Sequence, residues 1–263
     1  MKDENYNRIK FLQIGTLIHE KKIRHFISTR EGGISSGNYA SLNLSMKVDD
    51  DPVSVEKNRK RIAGELGINA RNLIFPDQCH TDNVQVLGDD WESTDLDKTD
   101  ALITNRPGIC LCVVVADCVP LMLFDRVNKV IAAVHAGWRG TASRIVSRTI
   151  EHMIKIFATK PSDILAGIGP AISRQKFEVG DDIASRFSFL FSDHPEIITR
   201  DRVTQKAHID LQRANRILLL RAGIPEMQIE TLQLCTYSNP DMFFSARRDG
   251  LKSGRFGAGI MLV

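Results

Sequence analysis

His80, Cys118 and His135 lie 38 and 17 residues apart in a chain of 263 residues. No local motif of the CxxC or HExxH kind joins them. Imidazole nitrogen and thiolate sulfur suit zinc, and three such ligands leave the fourth tetrahedral position open. A water at that position gives up a proton near neutral pH, so hydroxide becomes available. A metal-free reading uses two of the same residues, with Cys118 as a thiolate nucleophile and His135 as its base. Replacing His80 separates the two: it abolishes a metal mechanism and only dents a Cys and His dyad. An ordinary buried thiol at Cys118 is the third possibility.

Two apolar runs with strand character, Cys110 to Val115 and Val130 to Val134, position the second and third of these residues. The first run ends on Ala-Asp-Cys-Val-Pro and the second on His-Ala-Gly-Trp-Arg-Gly, so each buried run stops at strong side-chain chemistry. His80 stands just upstream of a strand carrying Val84 and Val86, and Asp100-Ala-Leu-Ile-Thr begins another. The apolar spacing over Thr141 to Phe157 predicts one amphipathic helix, with Ile145, Val146, Thr149, Ile150, Met153, Ile154 and Phe157 on its inner face. Starting directly after the His135 motif, its N-terminal amides would lie near the histidine and suit an anion.

Elsewhere, Ile23 to Thr29 reads as a strand running into a glycine-rich turn. Asp51 and Pro52 mark a helix start, Val55, Ile62, Ala63 and Leu66 form its stripe, and Gly67 closes it. Ile164 to Ile168 reads as a strand, a helix follows Phe177-Glu-Val-Gly, and Asp210 caps a further helix. Glu230 to Leu234 and Gly259 to Val263 close the chain as strands. With no repeat and no linker, the pattern predicts an α/β fold: a single-domain layered mixed sheet with flanking helices, three of them major. The unit is taken as 1–263, with 1–22 an N-terminal extension.

A net charge of +3, from 35 basic and 32 acidic residues spread along the chain, offers no basic block for nucleic acid. No stretch reads as a signal peptide or membrane span, so no membrane partner and a cytoplasmic location are expected. Five cysteines without a regular framework fit reduced thiols. Composition leaves the oligomeric state open.

The motifs Gln78-Cys-His-Thr-Asp-Asn-Val84, Asp100 to Thr104, Ala116-Asp-Cys-Val-Pro120, His135 to Gly140, Gly169-Pro170 with Glu178-Val-Gly180, and Phe243 to Gly250 occur in this order. Together with Ser28 to Gly33 and Ser41 to Leu44, they closely resemble the YfiH family, also called the multicopper polyphenol oxidase or laccase-domain family. The resemblance runs from about Arg24 onwards. It implies a layered α/β fold likened to a toxin deamidase with a Cys and His pair, and metal ligands at His80, Cys118 and His135. It also implies zinc-dependent phosphorolysis of adenosine, inosine, guanosine and S-methyl-5′-thioadenosine, with adenosine deamination as a further activity. Thr81 stands where the family pattern usually has glycine or serine, which touches the pocket wall rather than the metal.

On that reading the partners are a small-molecule nucleoside and phosphate. Guanidinium groups grip phosphate through two oxygens. Arg59, Arg139, Arg247 and Arg248 are the candidates, each with a structural ion pair as the alternative. Phe243 or Phe244 would stack on the purine, or else pack in the core. Asp82, Asp117 and Glu178 are the candidate proton-transfer carboxylates. Copper can replace zinc in a His/Cys/His set, but seven histidines, only two in motif contexts, are too few for a multicopper oxidase. A Cys-His hydrolase editing peptidoglycan precursors is the main alternative function.

Overall fold

The computed structural model of the chain describes residues 9–263, so the first eight residues of the expected extension lie outside it. Fourteen strands form three sheets. In chain order the strands are β1 (Phe11–Leu12), β2 (Ile23–Ser28), β3 (Leu73–Ile74), β4 (Val84–Leu87), β5 (Ala101–Thr104), β6 (Cys110–Val115) and β7 (Val119–Asp125). They continue with β8 (Val130–Ala136), β9 (Ile164–Ile168), β10 (Glu178–Val179), β11 (Ile198–Arg200), β12 (Ala207–Ile209), β13 (Ile229–Thr231) and β14 (Phe256–Leu262). The helices are α1 (Gly15–Ile18), α2 (Pro52–Leu66), α3 (Trp138–Ala142), α4 (Ile145–Phe157), α5 (Asp181–Leu190), α6 (Leu211–Arg221) and α7 (Ala246–Asp249).

The two large sheets have the orders β1-β2-β14-β6-β3 and β13-β9-β7-β8-β5-β4, and a small one has the order β10-β12-β11. Side-chain alternation along each strand stacks the large sheets into layers. On β6, Leu111 and Val113 join Met122, Phe124, Ile131 and Ala133 of the other sheet in a shared core. Cys110 and Cys112, of opposite parity, fall in an outer cluster with Ile62, Ala63 and Leu66 of α2. On the far side, Leu121, Leu123, Ala132 and Val134 meet Ile150 and Met153 of α4 and Ala214, Ile217 and Leu218 of α6. The order of layers is thus α2, five-stranded sheet, six-stranded sheet, then α4 and α6, the expected α/β arrangement of mixed sheets with flanking helices.

Local chemistry explains the ends of α2. The Asp51 carboxylate accepts from the Val53 and Ser54 amides, and Gly67 takes the left-handed conformation (φ 70°) that closes the helix. Residues 9–22 are tied in as well: the Ile14 amide donates to His25 Nε2 at 2.8 Å, Glu230 accepts from the amides of Gly15 and Thr16, and Ile14 and Leu17 are fully buried.

Three local expectations are corrected. The helix expected over Thr141 to Phe157 is two helices, α3 and α4, because Arg144 turns left-handed (φ 61°) between them. The helix that starts directly after the His135 motif is therefore α3, of five residues, and Ile154 is exposed to solvent. Strand β7 was not among the strands read from the sequence; it contains Pro120, which lacks a ladder donor. Its place is the second residue of β7, opposite His135 of β8 and ahead of the pairing with β9 that starts at Leu121. Among the described residues four helices of ten residues or more are present rather than three.

Candidate metal centre and substrate cavity

The chain crosses between the two large sheets at the segments that carry the candidate ligands. Ala116 to Cys118 links β6 of one sheet to β7 of the other, and the segment holding His80 links β3 to β4. His135 lies on β8 with the parity of Ile131 and Ala133, on the face between the sheets, beside the start of β7. Three residues distant in sequence therefore converge where the layers meet.

Cys118 Sγ is 3.7 Å from His80 Nε2. The two imidazole rings sit edge to face with centroids 4.8 Å apart. One ligand atom from each of His80, Cys118 and His135 lies within 4.8 Å of the others, and among the described residues this is the one group of that kind. The burial is graded: His80 exposed, Cys118 partly exposed, His135 buried. One side of the trio thus faces the solvent side of the cavity, as a three-ligand catalytic centre requires.

Gly137 shows how closely this space is fitted. A Cβ at that position would stand 2.9 Å from both Cys118 Sγ and His80 Cδ2, so only glycine leaves the trio room.

Asp100, quoted in the sequence only as the start of a strand, holds the frame. Its buried carboxylate accepts from the amides of Cys79, His80 and Thr81 at 3.2, 3.0 and 2.7 Å, and from the Thr81 hydroxyl at 2.7 Å. It also pairs with His135 Nδ1 at 2.7 Å. Burial pushes this carboxyl up, but the His135 and Thr81 contacts outweigh burial and bring it down to about 2. Burial likewise raises the Cys118 thiol, and the charge and hydrogen bonds of His135 and His80 bring it down to about 6. His135, which burial would lower, is lifted to about 9 by the thiolate and by Asp100. One thiolate sulfur and two neutral imidazoles are a donor set that suits zinc, and binding would displace the proton from His135, so the residues fit zinc.

A cavity of about 450 Å³ opens over the trio, within the range for small-molecule sites. Val48, Ile172, Phe177 and Leu251 give it apolar wall, and Lys47, Arg247 and Arg255 give it positive charge. Arg247 reaches it from α7, whose first turn is held by Asp117: its carboxylate accepts from the Arg247 amide at 2.7 Å and the Thr236 hydroxyl at 2.6 Å. Asp117 itself is left-handed (φ 87°), which aims the following Cys118 at the histidines.

Of the four arginines proposed from the sequence, Arg247 alone lines this cavity. Arg59 is half-buried, donates through Nε and Nη2 to the Leu44 carbonyl and covers Phe75. Arg139 is exposed and lies over Trp138. Arg248 is committed to Asp249 and to the carbonyls of Thr236, Tyr237 and Phe243. Arg255 was missed, since nothing around Gly254-Arg-Phe distinguishes it in the sequence; only the fold brings it beside Asp117 and Cys118. Phe243 and Phe244 are fully buried and pack in the core, so neither stacks on a ligand. Both oxygens of Asp117 are engaged, Asp82 pairs with Arg148, and Glu178 pairs with Lys206.

The layered fold and the His/Cys/His centre at its seam define the class, and the chain belongs to the multi-copper polyphenol oxidoreductase laccase family, whose family model matches residues 24–263. It is 42% identical over 260 residues to a purine nucleoside phosphorylase of Bacteroides thetaiotaomicron, covering 96% of each chain. It is 39% identical to adenosine deaminase RL5 from an unknown prokaryotic organism, covering 89% of this chain and 92% of that one. The crystal structure of Bacillus licheniformis hypothetical protein YfiH superposes with a TM-score of 0.87 at 34% identity, over 92% of this chain and 93% of that one.

Proposed function

We propose that this chain is a zinc-dependent purine nucleoside phosphorylase acting on adenosine, inosine, guanosine and S-methyl-5′-thioadenosine, with adenosine deaminase activity. The observation that carries the reading is the convergence of His80, Cys118 and His135 beneath a cavity lined by both apolar and cationic side chains. The names of the relatives point to the same two activities.

Bound by the three residues, zinc, or copper in its place, would supply Lewis acidity toward charge developing on the substrate. The chain's own residues do the rest. Lys47, Arg247 and Arg255 would hold phosphate, the arginines through paired N–H donors. Val48, Ile172, Phe177 and Leu251 would take the purine and the 5′ end of the ribose, excluding water from the reacting carbon. His80 would be the ligand nearest the solvent side, and His135 has its Nδ1 committed to Asp100. The catalytic unit is proposed as a single domain over 1–263 acting in the cytoplasm; no helix among the described residues is long and apolar enough to cross a membrane.

A second reading is favoured by one observation. Without a metal, a Cys118 thiol brought down to about 6 beside a His135 lifted to about 9, with Asp100 behind it, is the arrangement of a cysteine hydrolase. Amide hydrolysis on a peptidoglycan precursor is the corresponding activity. The test is a nucleoside assay with and without phosphate. Phosphate-dependent formation of ribose 1-phosphate and release of ammonia from adenosine support the first reading. Turnover of neither, with cleavage of a precursor amide, replaces it with the second.

A further inference from the structure

We propose that Asp100 is the positioning residue of the site, one carboxylate that sets the orientation of both imidazole ligands; the inference rests on the metal reading above. Asp100 does not line the cavity and touches no substrate, so it acts entirely through other residues.

The contacts divide cleanly between its two oxygens. Oδ1 takes the His80 amide and His135 Nδ1, and Oδ2 takes the amides of Cys79 and Thr81 with the Thr81 hydroxyl. Five donors occupy a group with about four lone-pair directions, so nothing is left over for a ligand. Each set has a consequence. With Nδ1 held by Asp100, His135 presents Nε2 to the site, which fixes its tautomer and ring plane. Three successive amides turned onto one carboxylate hold His80 at φ 62°, a left-handed conformation that a histidine seldom adopts unaided. Released from Asp100, the 79–81 segment would relax toward extended backbone and carry the His80 ring away from Cys118. The carboxylate itself cannot drift: Asp100 donates its amide to the Asn83 carbonyl, and its carbonyl accepts from the His135 amide at 2.8 Å.

No other acid could take over, because among the described residues the nearby Asp77, Asp82 and Asp117 are engaged with Lys47, Arg148 and the pair Thr236 and Arg247. An amide side chain would also fail. Asn at this position has the shape of Asp, yet turns N–H donors toward the amides of Cys79 and Thr81.

The experiment compares wild type with D100N and D100A, using zinc competition against a chromogenic chelator, the visible spectrum of the cobalt(II) form, and steady-state kinetics on adenosine. Zinc affinity is expected to fall roughly 10–100-fold in both variants, the range for removal of a carboxylate behind a ligating histidine. The cobalt bands shift, a change that a general loss of folding would not give, and kcat drops while the KM for adenosine changes little. Should D100A fail to fold, D100N carries the test, and Thr81→Val, which removes one donor and leaves the carboxylate, lowers zinc affinity about fivefold, one hydrogen bond's worth. Wild-type zinc affinity and an unchanged cobalt spectrum in D100N overturn this inference alone. Failure of wild type itself to bind zinc overturns the metal reading and the inference together.

Discussion

Cys118 Sγ lies 3.7 Å from Nε2 of His80, although the two residues belong to separate crossings between the large sheets. The distance is too long for a strong hydrogen bond and short enough for both atoms to touch one ion. The contact places His80 against Cys118, a neighbour that the dyad reading does not need.

Replacement of His80 is therefore the most informative single change. His80→Ala is expected to lower phosphorolysis and deamination together by about 10³-fold, equal to some 4 kcal/mol of transition-state stabilisation, and to remove the metal. Cys118→Ala and His135→Ala should do the same. Activity assayed beside metal content checks it: a His80→Ala enzyme within about tenfold of wild type leaves the Cys and His dyad in its place.

Gly137 is required for space rather than for backbone freedom, since its φ of −71° suits any residue. Gly137→Ala puts a methyl group 2.9 Å from Cys118 Sγ and His80 Cδ2. A loss of about 1–3 kcal/mol in stability is expected, as for overpacking elsewhere, with weakened metal binding. Chemical denaturation together with chelator competition measures both, and an unperturbed variant would mean the trio is looser than its geometry indicates.

The cationic residues of the cavity lining would separate the two proposed activities. Arg255→Ala and Arg247→Ala should raise the KM for phosphate about tenfold or more, the cost of a lost charged hydrogen bond. Deamination of adenosine, which consumes no phosphate, should change much less. Arg59→Ala, outside the cavity lining, is expected instead to destabilise the fold by about 2 kcal/mol through its lost bonds to Leu44. Initial rates at varied phosphate distinguish these effects.

His25 gives the fold a pH dependence of its own. Burial pushes its pKa down to about 4, with Glu230 opposing, because its Nε2 must stay unprotonated to accept from Ile14. The folded pKa is below the unfolded value of about 6.5, so the unfolded chain binds the proton first as pH falls. The histidine contributes no pH dependence above about 6.5, and stability declines between about 6.5 and 4 by about 3 kcal/mol. Urea melts across that range should show the decline, and His25→Asn should flatten it.

Much of the site was legible in the sequence because each ligand ends or precedes an apolar run with strand spacing, and chemistry at strand ends stands out against a buried pattern. The ends of α2 were legible through Asp51, Pro52 and Gly67, whose local effects do not depend on the rest of the fold. What the sequence hid are long-range relationships. Strand β7 was not read there; it contains Pro120, which lacks a ladder donor, and which edge lies unpaired is decided by the partner strand. Arg144 broke a helix that periodicity carried straight through. Arg255 and Asp100 acquire their roles only when β14 and β5 are laid beside the crossings, and Arg59 lost its expected role to the Leu44 carbonyl, 15 residues away along the chain.

The central claim, a single ion held by His80, Cys118 and His135, is tested most directly by zinc K-edge X-ray absorption on the purified protein. One sulfur at about 2.3 Å and two imidazole nitrogens at about 2.0 Å are predicted, with the sulfur shell lost in Cys118→Ser. A zinc shell of light atoms alone, or a spectrum unchanged by that substitution, would contradict it.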